Sequence, residues 1–497
     1  MEFYKIYHDI LGLYINNPLL MASVVLPMAV WVMIQRSIRI SASKKPAEQI
    51  HAQNRLPDPI WLSSKPEGII IGRARNHRYV RVPVERDAIY NGMIVGGAGS
   101  GKTTTLLMCS QIANAVADHP YTSLIVDPKR EQYQTVPGIN NLCLDPTDRS
   151  TWGWNPYYAL DNLQHASSDV QMEVFGRIAR CLIPEADPKQ AFWVDNARCM
   201  LTGLLADGYS HNLDFIATVN DILTCNLQEK ITKICTNAGT TQITLKYLAK
   251  FNKKKSEAMQ DIETHLYTPL SIFANTDIQY FMQNNPNRAS PAAITDEGKS
   301  LYLCVPEHKL HEYGSIFRVI IAQTLDELTK RAIGSTPCYV MIDEAYAIGK
   351  IDNLLEKLSI ARGYGVSIWL SFQGLAQLRE QYGRDGAQII MDNCRIKCIL
   401  ESNDNDTSSY IIKTAGTYAQ PKSSVSNGAS GNTTVSYADR NIYDEADLIS
   451  LVASKKEIVV TPTGTYLVSK NYWFEDRYFC RQQKLIKKSG NIIFRRK

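Results

Sequence analysis

Six short apolar runs recur along the chain, and each is long enough to form a strand. Their hydrophobic positions are nearly continuous instead of alternating, which is typical of strands buried on both faces of a parallel sheet. Stretches with helix-type periodicity separate several of the runs. The pattern therefore predicts an α/β domain with a mainly parallel sheet. The runs are AIYNGMIVG (88–96), SLIVDP (123–128), SLYLCVP (300–306), PCYVMIDEA (337–345), VSIWLSFQ (366–373) and RIKCILESND (395–404).

A long stretch between the second and third runs departs from this pattern. Residues 157–287 have helical periodicity and almost no strand signal, which predicts an all-α domain inserted into the α/β domain. The α/β domain then comprises residues 67–156 and 288–480. Its first part, 67–84, alternates short apolar runs with charges, as in a small antiparallel sheet. Residues 421–441 are rich in Ser, Gly, Asn and Thr, and we expect a loop there.

The N-terminal region contains an uncharged apolar run at Pro18–Ile34, close to the minimum length for a membrane-spanning helix. Lys5 is the only Lys or Arg before it, whereas four follow it by position 45, so the positive-inside rule places the C-terminal bulk in the cytoplasm. We predict a single-pass anchor in the inner membrane over residues 1–40 and a proline-containing linker over 41–66. A cleaved signal peptide or a buried core helix are the alternatives, and Pro27 disfavours the latter.

Composition excludes several classes of protein. The chain has 497 residues, of which 44% are hydrophobic and 21% charged, so it is neither collagenous, disordered nor a polytopic membrane protein. Its 11 cysteines are odd in number and often lie inside apolar runs, which favours buried thiols in a reducing compartment. The net charge is +5, but residues 477–497 contain eight Lys or Arg and no acid. The excess of positive charge therefore belongs to a C-terminal basic tail, residues 481–497, and the four residues that precede it.

The strongest chemical signal is the segment GGAGSGKT at 96–103, which fits the pattern G-x-x-x-x-G-K-[ST] between a strand and a helix. This is a P-loop, in which backbone N–H groups and the N-terminus of the helix surround a phosphate. Lys102 would contact the β- and γ-phosphates of ATP, and the Thr103 hydroxyl would ligate Mg²⁺. The predicted nucleotide-binding residues are Gly96, Gly97, Ala98, Gly99, Ser100, Gly101, Lys102, Thr103 and Thr104.

A P-loop site also needs a carboxylate near the metal ion, and the apolar run 337–345 ends in one. Asp343 would hold Mg²⁺ through water, and Glu344 would polarise the water that attacks the γ-phosphate. The alternative is an acidic strand end in an ordinary loop. The P-loop favours the catalytic interpretation.

Two further residues are candidates for the same chemistry. Gln373 ends the strand VSIWLSF, where open α/β sheets place ligands, so we expect it to sense the γ-phosphate. Arg362 precedes a glycine turn and could reach the nucleotide of a neighbouring subunit in a ring, where it would stabilise charge on the transferred phosphoryl group. An ordinary surface salt bridge is the alternative for Arg362.

These motifs, in this order and spacing, resemble the coupling proteins of type IV secretion and conjugation systems. The resemblance runs from about Asn91 to Trp473 and implies a membrane-anchored hexameric ATPase with a RecA-like P-loop motor domain, related to septal DNA translocases. It assigns Lys102, Glu344, Gln373 and Arg362 to catalysis. The segments that carry it, besides the P-loop, are IVDPKRE (125–131), WGWNP (152–156), FWVDNARCML (192–201), LYLCVPE (301–307), MIDEAYAIGKID (341–352), ARGYGVSIWLSFQGLAQLREQYG (361–383) and ILESNDNDTSSYI (399–411).

The resemblance implies a motor that delivers DNA with its attached relaxase, or an effector protein, to the secretion channel. Two basic clusters, RARNHRYVR (73–81) and KYLAKFNKKK (246–255), combine cations with aromatic residues that could stack on bases. A solvated surface is their alternative, and any DNA binding should be directed to the backbone. Two other functions stay open: a septal-type double-stranded DNA translocase, and a membrane-bound substrate receptor that uses nucleotide only for assembly.

Overall fold

A computed structural model describes residues 57, 61–83, 89–138, 140–161, 167–185, 188–252, 257–425 and 433–494. The predicted anchor, residues 1–40, and all but a few residues of the linker lie outside this part. Within it, none of the helices combines the length and the apolar character needed to cross a bilayer. The described residues fall into two compact units, one of which contains residues 416–442 and the other the remaining segments.

The strands, in chain order, are β1 (Leu62–Ser63), β2 (Ile69–Arg73), β3 (Tyr79–Val82), β4 (Gly92–Val95), β5 (Thr122–Asp127), β6 (Asn141–Leu144), β7 (Gly153–Trp154), β8 (Arg288–Ala289), β9 (Ser300–Cys304), β10 (Cys338–Ile342), β11 (Val366–Phe372), β12 (Ile396–Ile399), β13 (Thr417–Val425), β14 (Thr433–Asn441), β15 (Lys456–Thr461) and β16 (Gly464–Ser469).

One large sheet organises the second unit, with strand order β1-β3-β2-β16-β15-β12-β4-β11-β10-β5-β9-β6 in the described residues. The strands from β12 to β6 in this order pair in parallel. All six apolar runs of the sequence contribute to this parallel part, which confirms the predicted mainly parallel sheet. The remaining strands pair antiparallel and extend the same sheet at one side.

The α-helices are α1 (Met108–Ala115), α2 (Glu131–Thr135), α3 (Tyr158–Asp161), α4 (Ser168–Leu182), α5 (Ala191–Ser210), α6 (Phe215–Thr224), α7 (Leu227–Thr236), α8 (Gln242–Leu248), α9 (Glu257–Leu270), α10 (Thr276–Gln279), α11 (Ala292–Thr295), α12 (Leu310–Leu328), α13 (Ala345–Ile348), α14 (Leu354–Ile360), α15 (Leu375–Asn393), α16 (Asn405–Ala415), α17 (Glu445–Ile449) and α18 (Arg477–Phe494). A π-helical turn, Lys102–Leu107, leads into α1.

The central strands are buried on both faces because helices cover both sides of the sheet. Tyr339 and Met341 of β10 belong to a core shared with α1, and Phe479 of α18 packs into the same core. The alternate residues of β10, such as Val340, are equally buried on the opposite face. This two-sided burial explains why the strands appear in the sequence as continuous apolar runs.

The helices α3 to α10 lie between β7 and β8, where the sequence predicts an all-α insertion. These two strands pair in parallel, with Gly153 opposite Arg288 and Trp154 opposite Ala289. The Asn285 side chain adds a buried hydrogen bond of 2.7 Å to the Thr151 carbonyl. The chain therefore enters and leaves this helical region, residues 158–284, at one place, as an insertion requires. The domain boundaries themselves stay a prediction.

The expectation of a loop at 421–441 is wrong for the residues that the structure describes. Residues 417–425 and 433–441 form the antiparallel pair β13 and β14, with Thr417 opposite Asn441 and Val425 opposite Thr433. Thr and Val favour extended backbone, and backbone pairing forms strands without an aliphatic run. The predicted basic tail also has regular structure, because its residues 481–494 continue α18.

Gly92 and Trp369 provide a test of the packing at the centre of the sheet. They lie opposite each other on β4 and β11, and a Cβ atom added at Gly92 would lie 2.4 Å from the Trp369 ring. We expect Gly92→Ala to destabilise the protein by about 1–3 kcal/mol, because the buried ring has to move. Urea unfolding followed by circular dichroism measures this. Gly363→Ala is the matched control, since no atom lies within 4 Å of its added Cβ, and equal stability of both variants would contradict the prediction.

Candidate nucleotide-binding site

The P-loop connects the end of β4 to the π-helical turn and lies at the carboxyl edge of the parallel strands. Gly99 and Gly101 have φ angles of 81° and 101°, which only glycine adopts without strain. The Gly96 N–H donates a hydrogen bond of 3.1 Å to the Phe372 carbonyl at the end of β11. The neighbouring strand thus fixes the start of the loop.

Lys102 lies under the loop and is almost fully buried. Its Nζ donates a hydrogen bond of 2.7 Å to the Gly96 carbonyl and lies 3.3 Å from Oε1 of Glu344. Only 6% of the side chain is exposed, compared with 21% for Glu344. The ammonium group therefore connects the P-loop directly to the end of β10.

Asp343 and Thr103 form the second contact between the same two elements. The Thr103 hydroxyl donates a hydrogen bond of 3.0 Å to Oδ2 of Asp343. Burial and the neighbouring Glu344 raise the pKa of Asp343, whereas Lys102 and the Thr103 hydroxyl lower it. The net direction is upward, so the buried carboxylate would be stabilised by an additional cation. A hydroxyl beside a carboxylate is a hard oxygen set of the kind that Mg²⁺ prefers, and these two residues fit the metal ion.

Glu344 stands at a turn between β10 and α13. Its φ of 54° is left-handed, which is uncommon for a residue with a side chain and often accompanies a functional constraint. Its Oε2 accepts a hydrogen bond of 3.4 Å from the Gln373 side chain at the end of β11. The structure thus brings together Lys102, Thr103, Asp343, Glu344 and Gln373, as the sequence predicts.

Arg362 lies apart from this group. It belongs to a 3₁₀ turn, Ala361–Tyr364, before β11, whereas Gln373 follows that strand. The length of β11 separates them, about 20 Å at the usual rise per residue. The Arg362 guanidinium lies 5.1 Å from the centre of the Tyr90 ring. Arg362 is therefore at the opposite edge of the sheet from the P-loop of the same chain.

Sequence reasoning missed two side chains, from the ends of other strands, that bind the backbone of the P-loop. Glu401, which follows β12, accepts a hydrogen bond of 3.2 Å from the Gly97 N–H. Lys470, which follows β16, donates to the carbonyls of Ser100 and Leu400 at 2.7 and 3.0 Å. The position of Glu401 at the end of a predicted strand is a signal that could have identified it. Lys470 belongs to no motif.

Asp127, in the segment IVDPKRE, has a structural role. Burial raises its pKa to about 7, and the charge of Asp343 adds to this effect. Its Oδ2 accepts a hydrogen bond of 2.9 Å from the Tyr133 N–H in α2. The carboxylate therefore ties the end of β5 to the helix that follows.

The aromatic residues of the two basic clusters are mostly buried. Tyr79 and Phe251 are each 5% exposed, so the expectation that they stack on bases is wrong for these two residues. Arg73 pairs with Asp476, and 30% of its side chain is exposed. Other cations, including Arg75, are exposed.

Comparison with known proteins identifies the family. A family profile described as "Type IV secretory system Conjugative DNA transfer" matches residues 62–493. The conjugal transfer protein TraG of Rhizobium radiobacter is 24% identical over 349 residues, which are 66% of this chain and 52% of that protein. The type IV secretion system-coupling protein VirD4 of Bartonella henselae is 22% identical over 393 residues, 73% of this chain and 59% of that protein. The chain thus spans about half the length of TraG.

Solved structures show the same fold. The plasmid coupling protein TrwB in complex with the non-hydrolysable ATP analogue ADPNP has a TM-score of 0.63 at 15% identity, over 86% of this chain and 92% of TrwB. TrwB in complex with ADP and Mg²⁺ has a TM-score of 0.60 at 14% identity, over 86% and 92% of the two chains. The fold is therefore that of a P-loop NTPase with a mostly parallel sheet. Because the family profile matches nearly the whole described chain, this protein belongs to the type IV secretory system conjugative DNA-transfer family.

Proposed function

We propose that this protein is the ATP-hydrolysing coupling protein of a type IV secretion or conjugation system. The observation that carries the proposal is the position of the Glu344 carboxylate, which contacts both Lys102 of the P-loop and Gln373 of β11. A carboxylate between a phosphate-binding cation and a polar strand end is suited to orient water for attack on a phosphoryl group. The nucleotide complexes of TrwB support the same interpretation.

In the proposed reaction the residues have separate tasks. Backbone N–H groups of the P-loop and the Lys102 ammonium bind the phosphates of ATP and stabilise the charge that develops on them. Glu344 accepts a proton from water while the water oxygen bonds to the γ-phosphorus and the bond to the β–γ bridging oxygen breaks, which yields ADP and phosphate. Gln373 contacts Glu344 and is placed to report the state of the γ-phosphate. Thr103 and Asp343 would hold Mg²⁺, which neutralises phosphate charge when bound.

We propose that the protein assembles into a hexameric ring in which Arg362 reaches the nucleotide of a neighbouring subunit. Since Arg362 is at the opposite edge of the sheet from its own P-loop, a role in phosphoryl transfer requires the nucleotide of a neighbouring subunit. In such a ring the motor would use hydrolysis to deliver DNA with its relaxase, or an effector protein, to the secretion channel at the inner membrane. A predicted single-pass anchor would hold it there.

An exposed basic stripe on α18 is a candidate surface for DNA. Arg477, Arg481, Lys484 and Lys488 are all exposed and are spaced so that they follow one side of the helix. On the opposite side, Phe479 is buried against the sheet. Such a stripe can neutralise successive phosphates without reading bases, as expected for backbone-directed binding.

Glu344→Gln tests the chemistry. We expect ATP hydrolysis to fall by about 100-fold or more, because a positioned general base contributes factors of that order, while the affinity for a fluorescent ATP analogue stays within about twofold. Glu356→Gln on α14 is the control, since this exposed carboxylate lies outside the site. Undiminished hydrolysis and substrate transfer in Glu344→Gln would favour the receptor that uses nucleotide only for assembly.

Mixing two inactive variants tests the role of Arg362. Arg362→Ala should lower hydrolysis by about 1,000-fold if it acts as an arginine finger, and Lys102→Ala should abolish nucleotide binding. Mixed rings contain some interfaces that combine an intact P-loop with an intact Arg362, so we expect the mixture to recover part of the ATPase rate. Normal hydrolysis by Arg362→Ala alone would contradict a role in phosphoryl transfer and favour an ordinary surface salt bridge.

Salt dependence tests the basic stripe. Lys484→Gln/Lys488→Gln should weaken binding of single-stranded DNA and reduce the slope of log affinity against log salt by about 1.4, since each of the two phosphate contacts contributes roughly 0.7. Lys330→Gln/Lys455→Gln removes the same charge at two exposed lysines elsewhere and is the control. Fluorescence anisotropy at several salt concentrations measures both. Equal slopes for the two variants would exclude α18 as the DNA surface.

A further inference from the structure

Helix α4 of the helical region is connected to the segment that directly follows Glu344. This segment, residues 345–352, comprises the short helix α13 and the turn after it. Its backbone and side chains contact the C-terminal end of α4, residues 180–185, through charged groups. These contacts are not part of the P-loop site. Because several of them fall within so short a segment, a movement of α4 should also move residues 345–352.

The central contact is a buried arginine from α12. Arg318 is 7% exposed, and its guanidinium donates to the Cys181 carbonyl of α4 at 2.9 Å and to the Ile348 carbonyl of α13 at 2.7 Å. No carboxylate of the described residues forms an ion pair with it. A buried cation held only by carbonyl groups is costly, so its position depends on both acceptors being in place. Arg318 therefore fixes the end of α13 relative to the end of α4.

Two ion pairs join the same segments on either side of Arg318. The Arg180 Nε lies 3.1 Å from Oδ2 of Asp352, with 37% and 16% of their side chains exposed. Lys350 pairs with Glu185. Both ion pairs join residues 180–185 to the turn after α13, so together with Arg318 they make three contacts between the same two segments.

A cavity of about 1100 Å³ lies beside these contacts. Side chains therefore do not fill the space between the helical region and residues 345–352. Its lining includes Leu182 and Glu185 from the α4 side, Ile348 and Lys350 from the other side, and Arg318 between them. Since close packing is interrupted here, the polar contacts carry a larger share of the connection than they would in a continuous core.

We propose that Arg318 and the Arg180–Asp352 pair are positioning residues that hold Glu344 in its catalytic orientation and couple α4 to ATP hydrolysis. Helix α13 has only four residues, so the Ile348 carbonyl lies about 6 Å along the helix from Glu344. A displacement of α4 is therefore passed to the catalytic carboxylate over one helical turn. The inference rests on the proposed function, because it requires Glu344 to be catalytic.

Charge reversal at the Arg180–Asp352 pair is the principal experiment, and it uses the full chain. Arg180→Asp and Asp352→Arg should each lower kcat by about three- to tenfold, in the range of measured coupling between contacting residues, while the affinity for the ATP analogue stays unchanged. The double variant restores opposite charges at the same distance, and we expect it to recover kcat to within about twofold. A merely structural role would not separate kcat from nucleotide affinity in this way.

The matched control is another ion pair of the helical region, made with the turn between β6 and β7. Arg149 and Asp277 lie 2.7 Å apart, and Arg149 precedes β7, far in sequence from residues 345–352. Arg149→Asp and Asp277→Arg should leave kcat unchanged. If they lower it as much as the Arg180 and Asp352 variants do, the effect is general to the helical region and the proposal is overturned.

Arg318→Lys tests the central contact and keeps the charge. Lysine cannot reach both carbonyl groups with one planar donor set, so kcat should fall with nucleotide affinity retained. Combined with Glu344→Gln, Arg318→Lys should cause no further loss of hydrolysis, because both act through the same carboxylate. Additive losses would contradict the proposal. If Arg318→Lys does not fold, the charge-reversal series still decides.

The outcome for Glu344→Gln separates this inference from the proposed function. Full hydrolysis by Glu344→Gln means that the proposed function has failed. If Glu344→Gln is inactive but the reversed charges at 180 and 352 leave kcat unchanged, the proposed function stands and the coupling through α4 has failed.

Discussion

The contact on which the site depends is that of the Lys102 ammonium with the Glu344 carboxylate beneath the P-loop. Asp343 and Glu344 are adjacent carboxylates at the end of a buried strand, so the charge of Glu344 raises the energy of the charged form of Asp343. Lys102 offsets this repulsion and simultaneously binds the Gly96 carbonyl. One cation therefore joins the loop to Glu344 and lowers the energy of the charged form of Asp343.

The order of strands makes this contact possible. β4, β11 and β10 are neighbours in the sheet although they are far apart in the sequence, and their carboxyl ends lie at one edge. The P-loop, Gln373 and the two acidic residues follow these three strands in turn. A parallel sheet thus converts three distant segments into one site, because each crossover returns the chain to the same edge.

The residues of the P-loop and the acidic pair could be predicted because their signals are local: glycines next to a lysine, and acids after an apolar strand. The six buried strands were predictable for the same reason. Arg318 and Lys470 bind backbone carbonyl groups of elements distant in sequence, and a bond to a carbonyl leaves no pattern in side chains. The hairpin of β13 and β14 was missed because strand pairing can rely on backbone bonds that composition does not reveal.

The pairing of β7 with β8 has a consequence for how such proteins can change over time. Because Gly153 lies opposite Arg288 and its N–H donates to the Asn287 carbonyl, a helix lengthened or shortened between the two strands leaves the register of the large sheet unaltered. Substitutions can therefore accumulate in the helices without altering the strands that carry the P-loop, Asp343, Glu344 and Gln373. The contacts at the end of α4 would set the limit to this freedom, so the helical region can diverge everywhere except where it contacts Arg318 and residues 345–352.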